Sequence, residues 1–497
     1  MLQLLDQVDT VRKEVGQKLD QVRKSELGQF MTPSTVARFM ASLFPASTLQ
    51  TAQLLDAGAG IGSLTCAFLD RVTAATLPFQ RVEVVAYEID AKLRKHLSKT
   101  LSDYQDALDL DITVESDDFI EAAVKLIHEG TTRFTHAILN PPYKKIHSAS
   151  RHRTLLREVG IETVNLYSAF VALTIELMES GGQVVAILPR SFCNGPYYRP
   201  FRDIIFSKTA IKQMHLFNAR NRAFKDDDVL QENIIIVLER GAQQGPVTIS
   251  TSTDDSFGDM ETTIYPFDRI VFQGDPERFI HVPTSPDHSH IELSPFVASS
   301  LADLGIEVST GPVVDFRLRE HLRSMPQPDT VPLLYPCHFA GQSVIWPKAE
   351  GKKPNAILMN EKTKKWLYPN GCYVIVRRFS SKEERRRIVA SVVYAKDFSA
   401  PMLGFENHLN VFHAGRCGLP ENLSRGLCVF LNSTAVDDQF RRFSGHTQVN
   451  ATDLRLLKYP SLEDLIRLSL WAKNQRVLTQ DKIDKKVENI AWQKSTT

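Results

Sequence analysis

Four consecutive residues, Asn140-Pro141-Pro142-Tyr143, are of types that can together activate a weakly nucleophilic nitrogen. Neither proline carries a backbone N–H and each ring fixes φ, so the turn is rigid and presents acceptors. The Asn140 side-chain oxygen and the Pro141 carbonyl can both accept hydrogen bonds from one exocyclic amine. Such an amine is a poor nucleophile because its lone pair is delocalised into a ring. Two acceptors aimed at its hydrogens draw the nitrogen toward a tetrahedral form able to attack an electrophilic carbon. Tyr143 adds a flat face for stacking. The four residues follow the apolar run THAIL directly, at the carboxyl edge where open α/β sheets bind ligands.

Upstream, Asp56-Ala57-Gly58-Ala59-Gly60-Ile61-Gly62 follows another apolar run and opens a helical pattern. Glycines there allow close approach of backbone to a ligand beside a helix N-terminus, although a plain tight βα turn uses them equally well. The spacing departs from the dinucleotide pattern G-x-G-x-x-G, because the glycines fall at 58, 60 and 62 and an acid precedes them. One βα unit later, Tyr87-Glu88-Ile89-Asp90 ends a strand-like run, and Glu88 could accept hydrogen bonds from both hydroxyls of a ribose.

The elements that must position these residues alternate in a βα rhythm. AQLLD (52–56), VEVVAYE (82–88), THAILN (135–140), QVVAILP (183–189) and ENIIIVLER (232–240) read as strands. SLTCAFLDRV, AKLRKHLSKTL and NLYSAFVALTIELMES carry helical spacing, with Gly181 and Gly182 placed as a helix C-cap. This predicts an α/β domain, a parallel sheet with flanking helices, over 26–243. Residues 1–25 form an amphipathic helical arm expected to dock on its own domain, and 244–497 form an α+β domain ending in a helical tail.

With these motifs in this order, the chain resembles the S-adenosylmethionine-dependent adenine-N6 DNA methyltransferases. The resemblance is to the gamma branch of the amino type, with an N-terminal catalytic domain and a C-terminal target recognition domain, as in type II restriction-modification systems. It covers residues 25–243 most strongly and implies a Rossmann-like methyltransferase sheet. Gly28-Gln29-Phe30-Met31-Thr32-Pro33 resembles the family's first cofactor motif, which implies that Gln29, Phe30, Thr32 and Pro33 contact the methionine end of S-adenosylmethionine. By the same resemblance Asp56, Ala57, Gly58 and Gly60 line its amino-acid portion, Glu88 with Ile89 holds its ribose, and Asn140 borders it. Asp118-Phe119 would bind and flank its adenine, with Asp117 a rival for that role. Asn165-Leu166-Tyr167 resembles the start of the helix after the catalytic loop, and Phe224 falls where the family places an aromatic that stacks on the target base, a role Tyr143 shares.

The implied reaction moves a methyl group to the N6 amine of an adenine in double-stranded DNA. An amine paired inside a duplex cannot reach a buried methyl, so the base must flip out. Transfer then depends on positioning, because a sulfonium is already activated, and neither a metal nor a catalytic histidine is expected. A cognate restriction endonuclease acting at the same site is a partner by analogy, and the enzyme would be a monomer or homodimer. Glutamine-N5 protein methyltransferases use the same four-residue cradle, and a DNA-binding specificity protein with an inactive cofactor pocket is the non-enzymatic alternative. A cytosine-N4 enzyme would usually carry Ser in place of Asn140.

Composition narrows the rest. Hydrophobic residues at 43% and charged residues at 24% are ordinary for a folded chain, and 59 basic against 58 acidic side chains exclude a globally basic coat for nucleic acid. Polyanion contact must then come from a local patch, for which Arg377, Arg378 and Lys382, with Gln448 further on, are the candidates for DNA. Arg385, Arg386 and Arg387 read equally well as a solvated helix face paired with glutamates. The six cysteines form no C-x-x-C pair, and the charged start lacks an apolar signal segment. No membrane contact and a prokaryotic cytoplasmic location, at the nucleoid through DNA, are expected.

Overall fold

A computed structural model describes residues 4–18, 31–131, 133–217, 232–272, 275, 277–282, 295–380, 384–443 and 448–495. The chain divides into two compact units, Met1–Thr284 and Ser285–Thr497.

In the first unit the apolar runs become strands β1 (Thr51–Ala57), β2 (Arg81–Tyr87), β3 (Asp109–Glu115), β4 (Phe134–Leu139), β5 (Met178–Pro189), β6 (Thr209–Phe217), β7 (Asn233–Arg240), β8 (Val247–Ser252) and β9 (Glu261–Tyr265). They form one nine-stranded sheet in the order β3-β2-β1-β4-β5-β7-β6-β8-β9. β1 to β5 are mutually parallel, and β7 runs antiparallel between β5 and β6. From β1 the chain winds outward to β2 and β3, then returns to β4 and β5 on the other side. The carboxyl ends of β1 and β4 therefore flank the switch point where a crevice opens in such sheets.

Helices cover both faces. On one lie α1 (Leu4–Lys18), α2 (Ser34–Ser42), α3 (Ser63–Thr73) and α4 (Ala91–Ser102); on the other lie α5 (Phe119–His128), α6 (Arg151–Glu158), α7 (Leu166–Leu177) and α8 (Arg199–Lys208). Strand alternation feeds both cores: Leu54 joins one and its neighbour Leu55 the other. Helix α1 lies against the first of these faces, with Leu5 and Val8 buried beside α2 and α3, and Asp9 accepting from the Ser34 N–H at 3.2 Å. β4 is buried at every position, so its polar residues need partners. Thr135 Oγ1 pairs with His136 Nδ1 at 2.9 Å, and the His136 ring lies among Phe44, Phe68 and Phe79, where burial lowers its pKa to about 4 and keeps it neutral.

Two features differ from the sequence reading. Gly181 and Gly182 do not cap a helix: α7 ends at Leu177, and both glycines lie within β5, where the register against β4 shifts. A Cβ on Gly182 would meet the Phe134 carbonyl oxygen at 3.1 Å, so the glycine admits close strand approach. The sheet also continues past residue 243, because β8 pairs parallel to β6 and β9 pairs with β8, and the division between units falls at 284/285.

The second unit is mixed α and β. One sheet of six strands runs Glu307–Thr310, Leu409–His413, Tyr373–Arg377, Ala390–Val393, Ser343–Val344, Phe339–Ala340; another of five runs Leu322–Arg323, Ala356–Leu358, Thr330–Leu334, Met402–Phe405, Leu367–Pro369. Helices Glu421–Leu431 and Leu462–Lys473 pack so closely that a Cβ on Gly426 would lie 1.8 Å from the Leu465 carbonyl oxygen.

Candidate functional site

The Gly-rich turn leaves β1 with three left-handed residues, Gly58 (φ 87°), Gly60 (φ 59°) and Gly62 (φ 93°), a backbone that side chains resist. The Gly58 and Ala59 N–H groups both donate to the Tyr87 carbonyl, at 3.0 and 2.9 Å, folding the turn over the end of β2. There Glu88 accepts from the Gly60 N–H at 2.9 Å and the Asp90 N–H at 2.7 Å, while the Asp90 side chain caps α4. Glu88 is thus held between two loops at the tip of β2. Its burial raises its pKa to about 7, opposed by those two N–H bonds and reinforced by the charge of Asp90. Asp56 is fully buried, accepts from the Thr65 hydroxyl at 2.6 Å, and is likewise raised to about 7 by burial, against the Thr65 bond and with the charge of Glu88. Its second oxygen, Oδ1, has no hydrogen-bond partner among the described residues.

These loops open onto a cavity of about 290 Å³. Its wall brings together Thr32, Gly58, Gly60, Glu88, Ile89, Asp117, Asp118, Phe119, Asn140 and Pro142, all singled out in the sequence. Pro33, Asp56, Ala57, Pro141 and Tyr143, also singled out, lie close to residues of that wall in the chain but do not line it. Leu93, His152, Leu166 and Phe170 also line it and were not singled out for this role. Phe119 packs edge-on to Tyr87 and tilted against Phe170, with ring centroids 5.1 and 5.0 Å apart.

Asp118 does two structural jobs. Oδ1 caps α5 by accepting from the Ile120 and Glu121 N–H groups at 2.9 and 3.3 Å, and Oδ2 lies 3.1 Å from His152 Nε2. Burial would raise the Asp118 pKa, but the His152 bond and charge with the two N–H donors hold it below the usual carboxylate value. The same bond raises the His152 pKa. Asp117 is exposed on the cavity wall and makes no side-chain hydrogen bond among the described residues.

At the end of β4 the Asn140 amide is oriented from both sides. Its Nδ2 donates to Thr32 Oγ1 at 3.1 Å, and its Oδ1 accepts from the Tyr143 hydroxyl at 3.1 Å, a hydroxyl also 3.3 Å from the Ile187 carbonyl. Burial raises the Tyr143 pKa, so the phenol remains a donor. Two backbone bonds, Ile146 N–H to Val164 O and Leu166 N–H to Lys144 O, both 2.8 Å, tie the loop after the prolines to the start of α7. The Tyr143 ring sits edge-on to Tyr167, which stacks on Tyr198. The turn therefore holds the Asn140 amide on the cavity wall in a fixed orientation.

In the second unit, Arg377 lies over the Phe339 ring at 5.3 Å. Arg378 donates to the Asn407 carbonyl and to Gln448 Oε1, both at 3.2 Å. Arg386 and Arg387 do not form a solvated helix face: Arg386 donates to the Ser433 carbonyl at 2.8 Å, and Arg387 is fully buried, donating through Nε to Ser380 and lying over Phe440. Gln29, Phe30, Phe224 and Lys382 lie outside the described residues.

Sheet order and the Gly-rich first turn make the first unit a Rossmann-like methyltransferase domain. Residues 54–224 match the family model described as the Eco57I restriction-modification methylase. The chain is 54% identical to the type II methyltransferase M.BsuBI of Bacillus subtilis, over 99% of this chain and 98% of that protein. It is 45% identical to the type II methyltransferase M.PstI of Providencia stuartii, over 92% of each. The chain belongs to the type II methyltransferases, the modification enzymes of restriction-modification systems. Two solved structures share its fold: the DrdV–DNA complex (TM-score 0.54, 12% identity, 94% of this chain and 59% of that one) and the type IIL restriction-modification enzyme MmeI in complex with DNA (TM-score 0.53, 10% identity, 99% and 75%).

Proposed function

We propose that the protein transfers a methyl group from S-adenosylmethionine to the N6 amine of an adenine flipped out of double-stranded DNA. In this reading it protects sites that a cognate restriction endonuclease would otherwise cut. The observation that carries the proposal is the Asn140 amide, fixed by Thr32 and Tyr143 on the wall of a cavity that Glu88 also lines.

The residues present fit the cofactor. Glu88, its two oxygens held by the Gly60 and Asp90 N–H groups, lies on the cavity wall as a carboxylate acceptor for ribose hydroxyls. Ile89 and Phe119 offer apolar surface to an adenine ring, and Asp117 or Asp118 a carboxylate to its amine. Asp56 Oδ1 is a buried acceptor with no donor among the described residues, two positions before Gly58, beside which the amino-acid portion would lie. When bound, S-adenosylmethionine supplies an electrophilic methyl on a sulfonium. Asn140 Oδ1 and the Pro141 carbonyl then accept the two amine hydrogens and hold the nitrogen in line with that methyl. Tyr143 and Phe224 are the proposed stacking partners of the flipped base, and Arg377, Arg378, Lys382 and Gln448 the proposed DNA contacts.

The test is nucleoside mass spectrometry of duplex DNA incubated with the purified protein and a methyl-deuterated cofactor. Labelled N6-methyladenine is the expected product. Labelled N4-methylcytosine would reassign the base, and label in protein glutamine alone would replace DNA as the substrate.

A further inference from the structure

The second unit holds a fully buried carboxylate whose two oxygens meet the backbone N–H and the half-exposed imidazole of one residue, His408. Glu406 and His408 occupy the short turn that carries the chain from strand Met402–Phe405 of one sheet to strand Leu409–His413 of the other. The Glu406 side chain is 0% exposed and that of His408 42%. Glu406 Oε2 accepts from the His408 backbone N–H at 2.9 Å, and Oε1 lies 2.5 Å from His408 Nδ1. Burying a carboxylate is costly unless it is paired, so this turn is built around holding one ring. With Nδ1–H directed at Glu406, Nε2 faces outward, and it has no hydrogen-bond partner among the described residues.

The surroundings make the ring belong to a rigid platform. Arg378 donates its backbone N–H to the His408 carbonyl at 2.9 Å and its guanidinium to the Asn407 carbonyl and Gln448, so three distant segments are clamped together. Phe379, 46% exposed, lies against the imidazole with centroids 4.9 Å apart and bridges to Gln448. A Cβ on Gly311 would come within 2.2 Å of the Glu406 carbonyl oxygen, so the turn is also packed tightly from below. Arg378 thus also braces this turn, and His408 is presented beside it.

We infer that His408 reads a base edge of the recognition sequence through Nε2, with Glu406 as its positioning residue and Phe379 against the neighbouring nucleotide. An outward imidazole nitrogen of fixed orientation can accept from an exocyclic base amine or, when protonated, donate to guanine N7 or O6. The inference rests on the proposal that duplex DNA is the substrate.

The experiment compares wild type, His408→Ala, His408→Gln and Glu406→Gln on a library of duplexes, each altered at one base pair of the site the wild type methylates, scored by single-molecule sequencing. Loss of one base contact should relax discrimination at one base-pair position by about 5- to 150-fold and leave the other positions unchanged. Glu406→Gln should relax that same position, which a merely structural role would not select. Cofactor affinity and melting temperature control for folding, and His408→Gln decides if His408→Ala does not fold. Unchanged discrimination, or an equal loss at every position, would overturn the inference while leaving DNA as substrate. Failure of the wild type to methylate any duplex would instead remove the functional reading beneath it.

Discussion

Replacing Thr32 by Val keeps the side-chain shape and removes the acceptor that receives Asn140 Nδ2 at 3.1 Å. In the structure, Thr32 on one side and the Tyr143 hydroxyl on the other hold the two ends of the amide. Because each hydroxyl can accept as well as donate, neither alone excludes the flipped amide, and the two bonds together hold the orientation seen. A net hydrogen bond is worth about 1 kcal/mol, and if that energy serves to orient the amide, its loss slows methyl transfer about fivefold. Thr32→Val with Tyr143→Phe, which removes both restraints, should slow it by roughly 30-fold if the two act independently, less if they are coupled. The assay is single-turnover transfer with cofactor and DNA both saturating, which isolates the chemical step. An unchanged rate in Thr32→Val would refute the orienting role. So would a loss that disappears as cofactor concentration rises, since Thr32 would then act through cofactor binding.

Three further outcomes follow from the geometry. A Cβ at Gly58 would lie 3.7 Å from Phe170 and 3.9 Å from Pro142, ordinary contact, so Gly58→Ala should fold with a loss of about 1–2 kcal/mol from its left-handed backbone. Its methyl would intrude on the cavity and weaken cofactor binding about tenfold, or about 1.4 kcal/mol, by calorimetry. Asp56 and Glu88 have folded-state pKa values raised to about 7, so they hold protons that the unfolded chain has released. Their contribution to stability is full below the ordinary carboxylate range and is lost as pH rises through about 7, whereas a cofactor that needs them ionised binds more tightly at higher pH. Melting temperature measured against pH should fall less steeply in Glu88→Gln than in wild type. Gly426→Ala must push apart a closely packed helix pair in the second unit and should cost about 3 kcal/mol or more in denaturant unfolding, with cofactor binding in the first unit preserved.

What could be read from the sequence was what is local. The Gly-rich turn, Glu88 and the Asn-Pro-Pro-Tyr turn each combine an apolar run with residues adjacent in the chain, and the structure puts all three around one cavity. β3 was missed although DLDITVE alternates Leu110, Ile112 and Val114 with polar residues, the period-two pattern of a strand, here an edge strand that buries little on either face. The boundary expected at 243 rested on the turn GAQQG, which joins two strands of one sheet rather than two domains. Partners far apart in sequence left no trace in spacing: Thr32 with Asn140, Asp118 with His152, Arg378 with Gln448. The capping role of Asp118 did have a local signal, an acid followed three residues later by Glu121. Arg387 illustrates the limit of reading charge runs, because only packing shows that a residue from a basic cluster is buried over a phenyl ring.

The most direct test of the central claim is single-molecule sequencing of DNA from a host lacking adenine methylation, expressing either this protein or its Asn140→Ala variant. The account predicts N6-methyladenine confined to one sequence context with the native protein and none with the variant. An equal mark from both proteins would contradict the role of the Asn140 amide. No adenine mark from a folded native protein that binds S-adenosylmethionine would contradict the proposed reaction.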